Sequence, residues 1–355
     1  RRLVSHVSEG RSSKGDIEGA TTADRPRGNR GCSMTRPFRF GVQSYSASSP
    51  QDWRDQARWA EDNGFSTFSV ADHVIGPGPA LSAANHPVQD VAAVPAMAVA
   101  IEATSTIRVG ARVFCVDYRQ PVMFAKEMAT LDFFSEGRLE LGLGAGWIQS
   151  EYEAMGVQWD RAGVRLDRLE ETIALLRAHF GDGLVDVSGE HVRASGFEGV
   201  PKPANGAPPI MIGGGARRIL GIAGREADIV SLNFNNSSGK LGPDGFGSST
   251  AQLTEQKVGW IREGAGDRFD DLELEIAAYF TVVTDQRDET LAKMAPGMGL
   301  DPDALGSHPH GLIGSVDSIC DQLVERRERY GISYVTFSGR AAASVVPVVE
   351  RLAGT

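Results

Sequence analysis

The sequence predicts an α/β fold, a (β/α)8 TIM barrel with insertion loops. Three observations carry this. Eight short apolar, strand-like segments alternate with helical stretches from Phe38 to the end of the chain, which calls for parallel strands joined by crossover helices. Several of these segments run straight into glycines or small polar residues, as where Leu139–Leu143 meets Gly144-Ala145-Gly146-Trp147. The rival, a doubly wound sheet, lacks its usual G-x-G-x-x-G turn after the first strand.

Phe38–Gln43 reads as strand one. Pro50 opens a helix with Trp53, Ala57 and Ala60 at i, i+4 and i+7, and Asn63-Gly64 closes it. Thr67–Ala71 is strand two, ending in Asp72-His73 before a Gly-, Pro- and Ala-rich loop, Ile75–Pro87. Asp90–Ala103 is helical, Ile107–Val116 is strand three, and Pro121–Phe134 is the next helix. Leu139–Leu143 is strand four, with a polar helical stretch after Trp147. Gly163–Phe180 carries Leu166, Leu169, Ile173, Leu176 and Phe180 on one face. Val185–Val200 reads as a hairpin around Ser188-Gly189. Pro209–Ile212 is strand five, Ala216–Arg225 a short helix, and Asp228–Leu232 strand six. Asn233–Thr250 is a polar, glycine-rich loop long enough to serve as a lid. Ala251–Gly264 is helical, Leu274–Val283 is strand seven, and Asp288–Met294 begins a helix. Ala295–Gly311 is a second long loop, holding His308 and His310. Ser315 caps a helix that runs to Tyr330, Ser333–Phe337 is strand eight, and Val345–Leu352 is the final helix.

Composition narrows the function. The 355 residues suffice for a large core, and residues 34–355 read as one barrel domain. A net charge of −10 argues against nucleic acid as a partner. No apolar run approaches the roughly 20 residues that span a bilayer. Cys32, Cys115 and Cys320 are scattered, with neither disulfide nor zinc spacing, which fits a reducing cytoplasm. Residues 1–33 are basic and poor in large apolar side chains. They read as a disordered or non-native extension, with Met34 as the natural start.

In a parallel barrel the C-terminal ends of the strands carry the site. Here those ends are glycines, small polar residues and aromatics, poor in metal ligands and without paired carboxylates. That suits a large planar cofactor held by backbone groups. Trp147 either offers a flat face at the lip of a pocket or packs over a tight turn. Gly213-Gly214-Gly215 before a helix with Arg217-Arg218 is either a phosphate cradle or a flexible turn with solvated arginines. His73 is placed for acid–base work or for a hydrogen bond to a cofactor ring, against a structural bond at the strand end. Asp72 is placed to cap backbone or orient a neighbour. Cys115 reads as a small apolar wall residue, and His308 and His310 as solvated or supporting side chains.

Several stretches together resemble the bacterial luciferase-like superfamily, and within it the oxidoreductases that use the deazaflavin coenzyme F-420. They are Asp72-His73, Arg119-Gln120-Pro121, Lys126–Trp147, Tyr152, Pro201-Lys202-Pro203, Pro209–Gly215 and Leu312–Ser315. The resemblance implies a luciferase-like TIM barrel with the cofactor ring over the strand ends. It also implies a non-proline cis peptide in a strand-three bulge, matching Arg112–Val113. Carried onto this chain, His73 approaches the reactive edge of the ring. Asp72, Arg112, Val113, Phe114 and Cys115 lie around the bulge, Gly144, Ala145, Gly146 and Trp147 line the pocket, and Gly213, Gly214, Gly215 and Arg217 hold the phosphate. Trp147 stands where some F-420 dehydrogenases place a glutamate, which speaks against an acid there and against a sugar-phosphate substrate. The implied reaction is hydride transfer between coenzyme F-420 and a small organic substrate, by a homodimer. The alternatives are an FMN-dependent monooxygenase fed by a separate reductase and a non-catalytic flavin-binding protein.

Overall fold

The computed structural model describes residues 36–355; the expectation for residues 1–33 lies outside them. Eight parallel strands close into a barrel. They are β1 (Arg39–Ser44), β2 (Thr67–Val70), β3 (Arg108–Cys115), β4 (Leu139–Gly144), β5 (Ile210–Gly214), β6 (Ile229–Leu232), β7 (Glu273–Ala278) and β8 (Ile332–Ser338). Each pairs with its sequence neighbours, and β8 closes on β1 from Arg39 opposite Tyr334 to Gln43 opposite Ser338. The strands are buried on both faces, because helices cover the outside and side chains fill the inside. That is why they read as nearly continuous apolar runs.

The lower part of the barrel interior is polar, and its Arg39 guanidinium is paired. Arg39 donates to Glu140 at 2.9 Å and to Glu273 at 2.7 Å, and its guanidinium lies 3.5 Å from the centre of the Tyr334 ring. Tyr334 in turn donates to Glu140 at 2.9 Å. The register of β3 on β4 shifts between Ala111 and Phe114, and the Arg112–Val113 peptide there is cis. This is the bulge the resemblance implies. Gly142 makes room for it, since a Cβ there would lie 1.9 Å from the Ala111 carbonyl oxygen.

The helices follow their local signals. Ser49 accepts from the Asp52 N–H, Pro50 occupies the first turn, and Trp53, Ala57 and Ala60 are buried. Glu171 accepts the N–H groups of Glu190, His191 and Val192 and so fixes the hairpin of Leu184–Ser188 and Arg193–Glu198.

Five expectations need correction, two of them because the loops Ile75–Pro87 and Asn233–Thr250 contain short helices, Pro79–Ala84 and Pro243–Gly247. The predicted seventh strand divides at Tyr279: Glu273–Ala278 stays in the barrel, whereas Phe280–Val283 pairs with Gly311–Gly314 in a separate two-stranded sheet. The run LEIAAYFTVV carries no breaker, so periodicity alone could not divide it. The second long loop contains two short helical turns and that extra strand, held by Leu291, Leu305 and Ile313 in a small core of their own. The last helix starts at Gly339 rather than Val345 and keeps Pro347 inside it.

Candidate active site

A cavity of about 440 Å³ opens at the C-terminal ends of the strands, within the range typical of small-molecule sites. Asp72, His73, Arg112, Val113, Phe114, Cys115, Gly144, Ala145, Gly146, Trp147 and Gly213–Gly215 all line it. Arg217 does not.

The floor is built on the bulge. Tyr45 donates to Gln43 Oε1 at 3.0 Å, and Gln43 Nε2 donates to the Arg112 carbonyl at 2.8 Å. The Arg112 side chain is buried and bonded to Glu275 at 2.9 Å, Ser231 at 3.0 Å and the Tyr279 hydroxyl at 3.2 Å. The carboxylate and the tyrosine hold the guanidinium charged against the cost of burial. Tyr279 donates its own hydroxyl hydrogen bond to Asn233 Oδ1 at 3.2 Å, tying the floor to the start of the Asn233–Thr250 loop.

His73 Nδ1 lies 2.8 Å from Glu151 Oε2. Glu151 is fully buried and also accepts from the Val74 N–H at 2.8 Å and the Tyr118 hydroxyl at 3.0 Å. Burial pushes its carboxyl upward, but His73 and the other two donors hold it below the usual carboxylate range. An ionised Glu151 fixes the proton of His73 on Nδ1 and leaves Nε2 for a ligand. His86 lies against His73 with ring centres 4.0 Å apart, and Trp147 stands edge-on to both at 6.1 and 5.8 Å. Burial, and then the neighbouring His73, push His86 down to about 3.

Asp72 caps backbone, as its position suggested. It accepts from the Cys115 N–H at 3.0 Å and is clamped by Arg119 at 2.5 and 2.7 Å. Cys115 is a wall residue whose Sγ lies 3.1 Å from the Tyr152 hydroxyl, and burial pushes its thiol up to about 12.

The arginine expected at the phosphate cradle is a correction. Arg217 is exposed and pairs with Glu263 at 3.1 Å, and Arg218 pairs with Asp167. Both point outward because the first turn of their helix faces solvent on that side. The cation that does line the cavity is Arg165. Its guanidinium sits 3.6 Å from the centre of the Trp159 ring, donates to the carbonyls of Ala145 and Gly146, and has a buried Nε without a partner. Among the described residues it has no carboxylate partner. Gly213–Gly215 and Ala216 share this end of the cavity, and the helix Arg217–Glu226 starts there with no side-chain cap.

The Asn233–Thr250 loop contributes Asn233–Ser237, Leu241 and Phe246 to the wall, as a lid would. The second loop contributes nothing to the lining. His308 and His310 are buried rather than solvated: His308 Nε2 bonds the Phe246 carbonyl at 3.0 Å and His310 Nδ1 that of Ala277 at 2.8 Å. They support Phe234 and Tyr279 from behind, with His310 ring centres at 4.4 and 5.4 Å. Among the described residues no group of His, Cys, Asp or Glu is arranged to hold a metal, and no helix is long and apolar enough to cross a membrane.

Sequence reasoning passed over Glu151, Arg165 and His86. Arg165 had a readable signal, because it shares the buried helix face with Leu169, Thr172 and Leu176. Glu151 lies in the first turn of the helix Gln149–Met155, one turn from Trp147. His86 is delivered by loop geometry that no periodicity reports.

The family model described as luciferase-like monooxygenase matches residues 32–241. The chain belongs to this family. An FMNH2-dependent dimethylsulfone monooxygenase of Pseudomonas fluorescens is 32% identical over 39% of the chain and 38% of its own length. An F-420-dependent glucose-6-phosphate dehydrogenase of Amycolatopsis mediterranei is 29% identical over 54% of each. The match thus spans well under two thirds of either of these relatives. Among solved structures, the F-420-dependent tetrahydromethanopterin reductase of Methanopyrus kandleri superposes with a TM-score of 0.66 over 90% of this chain and 99% of that one, at 19% identity. That likeness is one of fold. Luciferase-like proteins with either cofactor are therefore relatives of this barrel, and proteins of the family are oxidoreductases and monooxygenases.

Proposed function

We propose that this luciferase-like protein is an oxidoreductase that transfers a hydride between coenzyme F-420 and a small organic substrate, with His73 as its catalytic residue. The observation that carries the reading is the His73–Glu151 pair at a cavity that is also lined by Arg165 and the Gly213–Gly215 backbone. The residues fit the group. The orphaned Nε of Arg165 and the uncapped N–H groups after Gly215 suit a phosphate. Gly142, Gly144 and Gly213 leave room for the Val113 side chain at the cavity floor, where a planar ring would rest.

When bound, the deazaflavin supplies the hydride chemistry at its C5. The share of this chain is separate. Glu151 orients His73, and Nε2 of His73 holds or accepts the proton of a substrate oxygen. Val113 would support the ring. Arg165 and the Gly213–Gly215 backbone would hold the phosphate. Trp147 and the Asn233–Ser237 wall exclude water.

One observation favours FMN as the second reading. F-420 carries an anionic oligoglutamate tail, yet Arg217, Arg218 and Arg225 are each paired with Glu263, Asp167 or Glu170, so that flank offers no uncompensated basic lane. Under that reading a separate reductase supplies reduced FMN and O2 is a co-substrate.

The test is turnover under two regimes. Anaerobic loss or gain of the visible F-420 absorbance with an organic alcohol or carbonyl compound is the expected result. Oxygen uptake with reduced FMN, and no change in F-420, would assign the second reading. Neither activity, in a protein that binds a cofactor, would overturn both.

A further inference from the structure

The corner of the cavity formed by His73, His86 and Trp147 is unusual in its polar bookkeeping. Around it, nearly every polar side chain already has a partner inside the protein. Tyr45 is bonded to Gln43, Tyr279 to Arg112 and Asn233, and Asp72 to Arg119. His73 Nδ1 is taken by Glu151, and His86 Nδ1 donates to the Pro87 carbonyl at 2.8 Å. The three rings keep Nε2 of His73, Nε2 of His86 and Nε1 of Trp147 without a protein partner among the described residues; Asn236 Oδ1, on the lid wall of the same cavity, is also unpartnered. The indole N–H is a donor only. His86, its Nδ1 proton engaged and its ring kept neutral by burial, presents Nε2 as an acceptor.

The charges are equally accounted for. Arg112 is neutralised by Glu275 and Asp72 by Arg119. The one cation in the cavity lining without a carboxylate, Arg165, sits against Trp159 and the Ala145 and Gly146 carbonyls. An anionic substrate in the His73–His86–Trp147 corner would lose its hydration, meet no free cation, and face the buried Glu151 carboxylate behind His73. The aromatic rings around it favour a flat apolar body.

We infer that His86 is a specificity-determining residue, and that with His73 and Trp147 it selects an uncharged, flat organic compound through a single hydroxyl or carbonyl oxygen. The inference rests on the site assigned under the proposed function and names the substrate class it takes. A hydroxyl is read by donating to His86 Nε2 and accepting from Trp147 Nε1. A carbonyl is read by accepting from Trp147 Nε1. His86, which belongs to the Ile75–Pro87 insertion rather than to the barrel, adds the acceptor that a generic barrel would lack.

The experiment is equilibrium binding of four probes to the full-length protein, with and without F-420, by calorimetry: 1-phenylethanol, ethylbenzene, benzoate and glucose 6-phosphate. The expected order is 1-phenylethanol first, at least about tenfold tighter than ethylbenzene, as one good hydrogen bond allows, with both anions weaker still. In His86→Phe the preference for 1-phenylethanol over ethylbenzene falls to about twofold or less while ethylbenzene affinity is kept. His86→Gln, which retains an acceptor, restores part of that preference and guards against a folding defect in the first variant. Equal binding of 1-phenylethanol and ethylbenzene to the wild-type protein, or tighter binding of either anion once F-420 occupies the Arg165 and Gly213–Gly215 end, overturns the inference. Failure of F-420 to bind, with the probe order intact, strikes the cofactor reading instead and leaves the subsite standing.

Discussion

Glu151 is the residue on which the site's chemistry turns, because it is buried, ionised and bonded to three donors at once. Glu151→Gln keeps the shape but exchanges one acceptor oxygen for an amide donor. The His73 ring then loses the partner that sets its tautomer, and kcat is expected to fall by about 10²-fold with a smaller change in KM. A variant whose kcat is unchanged across the pH profile would remove Glu151 from the account. Gly146 is a second residue-scale test. Its φ is +68°, and a Cβ there would lie 2.0 Å from the Tyr152 hydroxyl. Gly146→Ala is expected to destabilise by more than about 1 kcal/mol, as a shift in denaturation midpoint. At this scale the sequence was informative wherever a residue type was unusual for its element, as with glycines inside β4 or an arginine on an apolar helix face. It was uninformative for His86 and Glu151, whose meaning depends on which distant backbone they meet.

At the scale of the element, caps and clamps decide which loops are rigid enough to serve the site. The Ser49 cap of the first helix is worth about 1 kcal/mol, so Ser49→Ala should lower stability by that amount in chemical denaturation without touching the cavity. Glu61, at the end of the same helix, accepts the N–H groups of Ser105, Thr106 and Ile107 just before β3. Burial opposes its charge, but these donors bring its carboxyl down to about 2 from 4.5. A depressed folded-state value means the clamp contributes fully above about pH 4.5 and is lost as pH falls through about 2. Glu61→Gln should therefore show a shallower loss of stability across that window than the wild-type protein. Lys257 has the opposite sense. It is buried, donates to the Asn233 carbonyl at 2.7 Å, and burial lowers it to about 8 from 10.5. The charged form is the one the fold disfavours, so stability should rise between pH 8 and 10.5, and Lys257→Met should abolish that rise in thermal melts. The helices were legible because their caps and apolar spacing are local. The break at Tyr279 was not, because only the pairing of Phe280–Val283 with Gly311–Gly314 reveals it.

At the scale of the molecule, the alternation of strands and helices was enough to read a closed barrel and hence which end carries the site. The placement of Gly213–Gly215 and His73 at the cavity followed from that alone. The charge pairing on the flank did not, since Arg217 and Glu263 are far apart in sequence and meet only on the folded surface. That pairing bears directly on the cofactor, and so the decisive measurement is a titration of the purified protein with F-420 and with FMN, followed by quenching of tryptophan fluorescence and repeated with Trp147→Phe. Micromolar F-420 binding, weaker FMN binding, and quenching that drops markedly when Trp147 is replaced are the expected results. Binding of neither cofactor, or quenching unaffected by loss of Trp147, would contradict the placement of a flavin-type ring at these strand ends.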